Sequence, residues 1–277
     1  MRSIAVMNQK GGVGKTTTAV NLSAALAEAG QRVCVIDLDP QAHASLHLGV
    51  TVHDGQPSVY EVLTSELLFQ NVRQQVADNL WLVPAHLDLA AAEVELAGEA
   101  GREVILRDKL AADDTTFDYL VIDCPPSLGV LTINALTMVR EVFLPLQPHF
   151  LALHGLSKLL RTIEIVSQRL NPALRLTGVL LCMYDANTRL ASEVSDDVSA
   201  YFQRERTPGC IWSDARAFTT RIRRNVRLAE APSFGQSILQ YAPSSNGAED
   251  YRQFAGEVLD SAQAAEKQGA TERRVAA

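Results

Sequence analysis

Residues 8–21 read NQKGGVGKTTTAVN, which places three glycines and two lysines within the six residues Lys10 to Lys15. The run before them, SIAVMN, is apolar and strand-like. The run after them, TTTAVNLSAALAEAG, repeats Val20, Leu22, Ala25, Leu26 and Ala29 at helical spacing and closes at Gly30, a residue suited to ending a helix. A strand that passes through a glycine-rich turn into a helix aims backbone N–H groups at a helix N-terminus, where orphan donors and the helix dipole favour an anion. Gly14-Lys15-Thr16 therefore reads as the end of a phosphate-binding loop, with Lys15 on the β- and γ-phosphates and the Thr16 hydroxyl on Mg²⁺. The full pattern asks for glycine at position 9, where this chain has Gln9. The loop is a deviant form with an extra lysine, Lys10, at its front.

The rest of the chain supports one large α/β unit. Its 277 residues are 47% hydrophobic and 21% charged, a soluble composition with material for a sizeable core. No stretch approaches 18 uninterrupted apolar residues, and Met1 leads into the first strand without a leader-like apolar segment, so a cytoplasmic location with no membrane association is expected. Cys34, Cys124, Cys182 and Cys210 are widely spaced and read as reduced thiols, the first three in or near the core. Strand-like runs at 4–8, 32–39, 80–85, 119–125, 141–148 and 175–184 alternate with amphipathic stretches at 15–29, 58–68, 88–111, 128–138, 155–170 and 190–203. The strand runs are continuously apolar, which predicts a P-loop NTPase-like α/β fold: a mostly parallel twisted sheet with helices on both faces. A single domain over 1–265 is expected, with a disordered tail at 266–277.

Phosphate chemistry needs carboxylates, and two strand runs end in them. VIDLDPQ supplies Asp37 and Asp39, and LVIDCPPS supplies Asp123. In an open parallel sheet ligands sit beyond the carboxyl ends of the strands, so the three should converge beside the loop. Asp123 suits a holder of the metal ion or its water, and Asp39 suits the orientation or deprotonation of an attacking water. Asp37 is as readily structural.

Net charge is −7, yet Arg204 to Arg227 holds seven arginines against Glu205 and Asp214. An acidic domain can carry one basic face, and arginine suits phosphate contact without base readout. The plain alternative is that these arginines pair with carboxylates on a solvated face.

Taken in order, NQKGGVGKTTTAVNL, VIDLDPQ, VIDCPPSLG with NAL, GLSKLL, MYDANT, RNVRLAEAPSFGQSI and GAEDYR closely resemble the ParA/Soj ATPases of chromosome and plasmid partition, a deviant-Walker branch that also includes MinD. The resemblance spans residue 1 to about 260. It implies an ATP- and Mg²⁺-dependent hydrolase with weak basal turnover, whose nucleotide contacts are Lys10, Gly11, Gly12, Val13, Gly14, Lys15, Thr16 and Thr17, with Asn225 by the adenine. Lys10, Lys15 and Asp39 form the catalytic set, and Thr16 and Asp123 the metal set. Lys10 is implied to cross to the ATP of a partner subunit, giving an ATP-dependent homodimer that hydrolysis dissolves. Gly11 is implied to keep the partner loop's approach open. Further implications are nonspecific duplex DNA binding through Arg189, Arg221, Arg223, Arg224 and Arg227, nucleoid association when ATP is bound, and a ParB/Spo0J-type partner.

Some positions depart from the family pattern. Arg223 stands at a usual proline beside the adenine, Asn187 stands where a DNA-contacting arginine is usual, with Arg189 two residues on, and Ala42 replaces a usual glycine after DPQ. The segment around 204–216 is longer than usual by about ten residues, enough for an extra surface loop. The same switch positioning another cargo, such as a chemoreceptor array or a microcompartment, is the alternative. A MinD-like membrane role is disfavoured, because residues 247–268 place Tyr251, Phe254, Val258 and Leu259 on one face of a helix whose remainder is mostly acidic.

Overall fold

Continuous apolar runs become strands that are covered on both faces, and this is how the chain is built. The computed structural model describes residues 1–113, 116–149, 156–204, 210–213 and 215–275, with backbone alone for 190 and 263–275. Among these residues, strands β1 (Arg2–Val6), β2 (Val33–Asp37), β3 (Gln74–Ala77), β4 (Leu80–Val83), β5 (Tyr119–Asp123), β6 (Glu141–Leu146), β7 (Arg175–Tyr184) and β8 (Arg216–Arg223) form one sheet. Its order is β3-β4-β2-β5-β1-β6-β7-β8. Neighbours are parallel throughout except β3 with β4, which pair antiparallel.

The helices are α1 (Lys15–Glu28), α2 (His43–His47), α3 (Val59–Thr64), α4 (Phe69–Val72), α5 (Leu89–Glu95), α6 (Ile105–Ala111), α7 (Val130–Met138), α8 (Leu156–Arg169), α9 (Arg189–Arg204), α10 (Val226–Glu230), α11 (Ile238–Tyr241) and α12 (Asn246–Val275). Along β1, Ile4 and Val6 join one core layer while Ala5 and Met7 join the other, the two-residue alternation of a pleated strand. The Ile4 side packs under α1, α2, α11 and α12, and the Ala5 side under α3 to α9. Phe143 of β6, Phe218 of β8 and Phe254 of α12 meet with ring centroids 4.9–5.9 Å apart, two of the pairs edge to face, a favoured aromatic geometry. Tyr251, Phe254 and Val258 are buried, so the apolar face of α12 is spent on its own domain. No described helix is long and apolar enough to cross a membrane.

The structure corrects the run-based reading in three places. The stretch at 88–111 is two helices, because Gly98 and Gly101, the latter at φ 81, break it. The stretch at 58–68 stops at Thr64, and α4 begins separately at Phe69. Two edge strands, β3 and β8, lie outside the apolar runs: β3 is exposed to half-buried, and β8 alternates exposed arginines with buried Phe218 and Ile222, the pattern of an edge. The four cysteines are free thiols, with Cys34, Cys124 and Cys182 buried. Of the extra segment near 204–216, residues 205–209 and 214 lie outside the described residues.

Helix α1 is fastened to the end of the chain by polar groups. Asn21 Oδ1 accepts from Ile238 N at 2.7 Å, its Nδ2 donates to Thr17 O at 2.8 Å, and Thr18 Oγ1 lies 3.2 Å from Tyr251 Oη. Asn21, Thr18 and Tyr251 are buried, where an unmade hydrogen bond is costly.

Ala42 caps α2 at φ 53, ψ 31, the left-handed region that disfavours a side chain. Ala42→Gly is therefore expected to stabilise the protein by about 1 kcal/mol, the relief of left-handed strain exceeding the added unfolded-state entropy. The check is a rise in the urea midpoint with an unchanged m-value.

Candidate nucleotide site and its basic flank

Strand order places the site. From β1 the chain first fills the β2 side of the sheet, then inserts β5 beside β1 and continues outward through β6, β7 and β8, so the reversal falls at the carboxyl end of β1, where ligands of such sheets bind. The loop there has Gly12 at φ 72 and Gly14 at φ 96. Alternation of left-handed glycines with ordinary residues makes the backbone concavity that receives anions. Gly14 is also the N-cap of α1, where no side chain caps the helix and the first turn holds no acid. The free N–H groups of that turn remain available to a phosphate.

The two lysines are held differently. Lys15 is buried, 8% exposed, with its Nζ 3.3 Å from the Lys10 carbonyl. Lys10 is exposed, and its Nζ meets Nε2 of His149 in the loop after β6. Asn8 shapes the front of the loop: its Oδ1 accepts from Lys10 N at 3.0 Å and its Nδ2 donates to Pro145 O at 2.8 Å. A side chain built at Gly11 would meet nothing within 4 Å, so that flank faces open space.

Asp123 stands opposite Val6 on β1 and opposite Asp37 on β2. Asp37 is absorbed by structure. Its Oδ2 accepts from Ser45 N at 2.8 Å and Ser45 Oγ at 2.7 Å, while Ser45 Oγ also accepts from Ala85 N at 3.0 Å, so the group ties β2 to α2 and to the chain after β4. Burial raises Asp37 to about 6 against these hydrogen bonds. Asp39 lies just beyond the strand end, 9% exposed, its Oδ1 accepting from Gln41 N at 3.0 Å.

Asp123 is wholly buried, and neither of its oxygens has a hydrogen-bond partner. Burial and then the charge of Asp37 push it well above the usual carboxylate range, with Thr16 and Lys15 acting the other way. An orphaned buried carboxylate beside the Thr16 hydroxyl suits a hard cation. Among the described residues no three His, Cys, Asp or Glu side chains gather as a metal cage. Mg²⁺ does not need one, since it keeps waters and takes ligands from phosphates.

A family model described as an AAA domain matches residues 1–176. The chain is 46% identical over 256 residues to the sporulation initiation inhibitor protein Soj of Bacillus subtilis, covering 92% of this chain and 97% of that one. It is 47% identical over 259 residues to the chromosome-partitioning ATPase Soj of Thermus thermophilus, covering 94% and 96%. The chain belongs to the ParA/Soj family. A crystal structure named cobyrinic acid a,c-diamide synthase from Mycobacterium smegmatis, with bound ATP analogue and magnesium, superposes with a TM-score of 0.78 at 39% identity over 94% of each chain.

The basic flank of this ParA/Soj chain is less free than its arginine count suggests. Arg223 is ion-paired to Asp250 at 2.6 Å and Glu249 at 2.7 Å of α12. Arg221 stacks over Tyr184 at 4.5 Å, donates to its hydroxyl at 2.8 Å and reaches Ser195 Oγ at 3.2 Å, bracing β8 against β7 and α9. Arg227 pairs with Glu230 at 2.8 Å, and the exposed Arg189 pairs with Glu193 at 2.8 Å. Arg224 is exposed, and its guanidinium has no partner among the described residues. Asn225 spends its side-chain oxygen on capping α10, accepting from Arg227 N at 2.9 Å. Sequence reading missed Asn8, which an Asx turn before glycines signals, and His149 and Ser45, which carry no local signal.

Both folded carboxylates titrate above their unfolded value, so the folded chain binds their protons more tightly. Their contribution to stability is full below about pH 4 and is lost as pH rises through about 6 and beyond. The nucleotide-free Asp123→Asn protein is expected to melt higher than the parent near pH 8, the gap closing towards about pH 4. Scanning calorimetry across that range checks it, and a constant gap would refute the linkage.

Proposed function

We propose that this chain is an ATP-driven partition switch. It binds ATP with Mg²⁺ in the Lys10–Thr17 loop, closes as a homodimer around two nucleotides, binds duplex DNA of any sequence in that state, and is returned to the monomer by hydrolysis that a ParB-type partner stimulates. The observation that carries this reading is the unequal placement of the two loop lysines, Lys15 buried at the head of α1 and Lys10 exposed at the mouth. One lysine inside and one outside is what a site needs if its phosphate charge is neutralised fully only when a second subunit arrives.

In the proposed site Lys15 neutralises the β- and γ-phosphates, and Thr16 and Asp123 hold Mg²⁺ and its water. Asp39 orients the attacking water, and Asn225 stands by the adenine. Bound Mg²⁺ would lower the charge cost at the γ-phosphate, and its positive charge would favour the ionised form of Asp123. The relatives named for partition and the relative solved with an ATP analogue and magnesium support this assignment. The domain acts as one unit over 1–265 with 266–277 as a tail. On the DNA face Arg224 is the primary phosphate contact. Arg189 and Arg227 contribute by exchanging exposed intrachain pairs, which are weak, for DNA phosphates. Arg221 and Arg223 act mainly as braces.

Two variants separate the lysines. Lys15→Ala is expected to lose ATP binding by calorimetry, whereas Lys10→Ala is expected to bind ATP and stay monomeric in sedimentation with Mg²⁺·ATP. A Lys10→Ala protein that dimerises like the parent would reduce Lys10 to a solvated charge.

The DNA surface is read by salt dependence. The parent ATP dimer is expected to bind duplexes of unrelated sequence equally, with affinity falling with salt. Arg224→Ala is expected to weaken all of them alike and to flatten the log–log salt slope by about two units in a symmetric dimer, about 0.9 for each phosphate no longer neutralised. ATP binding and dimerisation should be unchanged, and an unaltered slope would remove Arg224 from the interface.

A further inference from the structure

Lys10 is exposed, yet its side chain is engaged. Its ammonium meets Nε2 of His149, a residue 139 positions away in the loop that follows β6. It has no carboxylate partner among the described residues. An ammonium only donates, so a hydrogen bond here takes Nε2 of His149 as its acceptor, which is the role of that nitrogen in the ring tautomer with its proton on Nδ1. The contact joins a second one, since Asn8 fixes the same turn to β6 through Pro145 O. The front of the loop is thus strapped at two points, once to β6 and once to the loop that follows it. Strand β6 lies on the opposite side of β1 from β5 and β2, so the strap draws the ammonium towards the side away from Asp37 and Asp123.

We propose that His149 is a positioning residue that holds Lys10 against its own chain in the nucleotide-free monomer, and that Lys10 leaves His149 when it reaches the phosphates of a second copy. The inference rests on the cross-subunit role of Lys10 proposed above. A flexible four-carbon stem in an open loop otherwise samples many rotamers. The histidine collects that population into one pose on its own chain. A contact made in the monomer and given up in the dimer biases the equilibrium towards the monomer by its own strength. His149 therefore sets the threshold for dimerisation without touching nucleotide. Its acceptor nitrogen is the relevant chemistry, which a glutamine amide oxygen reproduces and an alanine does not.

Two measurements on the full chain test this. In the first, the nucleotide-free monomer is trace-labelled with acetic anhydride and the acetylation of Lys10 is followed by mass spectrometry. Lys10 in His149→Ala is expected to react about two- to tenfold faster than in the parent, the range that one hydrogen bond of modest net strength converts to, and His149→Gln is expected to restore the parental rate. Equal rates in parent and His149→Ala would overturn the contact itself. In the second, sedimentation with Mg²⁺ and a non-hydrolysable ATP analogue gives the dimer dissociation constant. It is expected to fall by about the square of that factor in His149→Ala, because each dimer gives up two such contacts, and to return to the parental value in His149→Gln. An unchanged or weaker His149→Ala dimer, with Lys10→Ala monomeric, would overturn the holding role while leaving the cross-subunit role of Lys10 intact. A Lys10→Ala protein that dimerises like the parent would instead defeat the cross-subunit role, and with it this inference.

Discussion

Two carboxylates stand side by side at the buried end of a parallel sheet, and much of the site is arranged around them. Asp37 and Asp123 are register neighbours on β2 and β5, and both are fully excluded from solvent. A low-dielectric interior penalises each charge and their mutual repulsion, so they are tolerated only if donors or cations are supplied. The chain treats them unequally. Asp37 receives the Ser45 N–H and hydroxyl, and through Ser45 it positions α2. Asp123 has no comparable set of donors, with only the nearby Thr16 hydroxyl and Lys15 favouring its charge. That asymmetry divides the pair into a structural member and a member left open to a cation, and it makes the nucleotide-free protein one that favours protonation at this point.

The parts of this arrangement that local chemistry encodes were readable from the chain alone. β7 spans the same residues as its apolar run, 175–184, and the other five runs overlap β1, β2, β4, β5 and β6, because strands buried on both faces write themselves as uninterrupted hydrophobic stretches. The left-handed glycines of the phosphate loop follow from the turn between a strand and a helix. Asp39 and Asp123 were locatable because ligand sites of open sheets gather at strand ends. What could not be read depends on which strands become neighbours. His149 meets Lys10 only because β6 lies beside β1, and Arg223 meets Glu249 and Asp250 only because α12 packs on β8. The arginine-rich segment showed its charge but not its ion pairs. Its strand was masked by polar residues at every second or third position, as edge strands are.

The same contrast separates a fixed interior from an adjustable rim. The aromatic cluster of Phe143, Phe218 and Phe254 locks β6, β8 and α12 into one body, and Arg221 braces β8 against β7 and α9. By contrast, the Lys10–His149 contact and the Arg189–Glu193 and Arg227–Glu230 pairs involve exposed side chains. Exposed pairs of this kind exchange partners at little cost. The rigid parts hold the geometry of the phosphate loop, and the rim is where a change of ligand or partner registers.

The hydrogen bonds that fasten α1 to the last quarter of the chain have a consequence for synthesis. Thr18 and Asn21 belong to the first helix in the described element order, but their buried partners, Tyr251 and the Ile238 amide, are more than two hundred residues downstream. At typical elongation rates of roughly 5–20 residues per second, that interval is on the order of ten seconds or more. Throughout it the helix that follows the phosphate loop lacks the partners of Thr18 and of the Asn21 oxygen, and the side of it that α11 and α12 cover stays open. The nascent polypeptide therefore acquires its motif first and its native fold last, and a chain cut short before α12 carries every residue of the loop without the support that completes its helix.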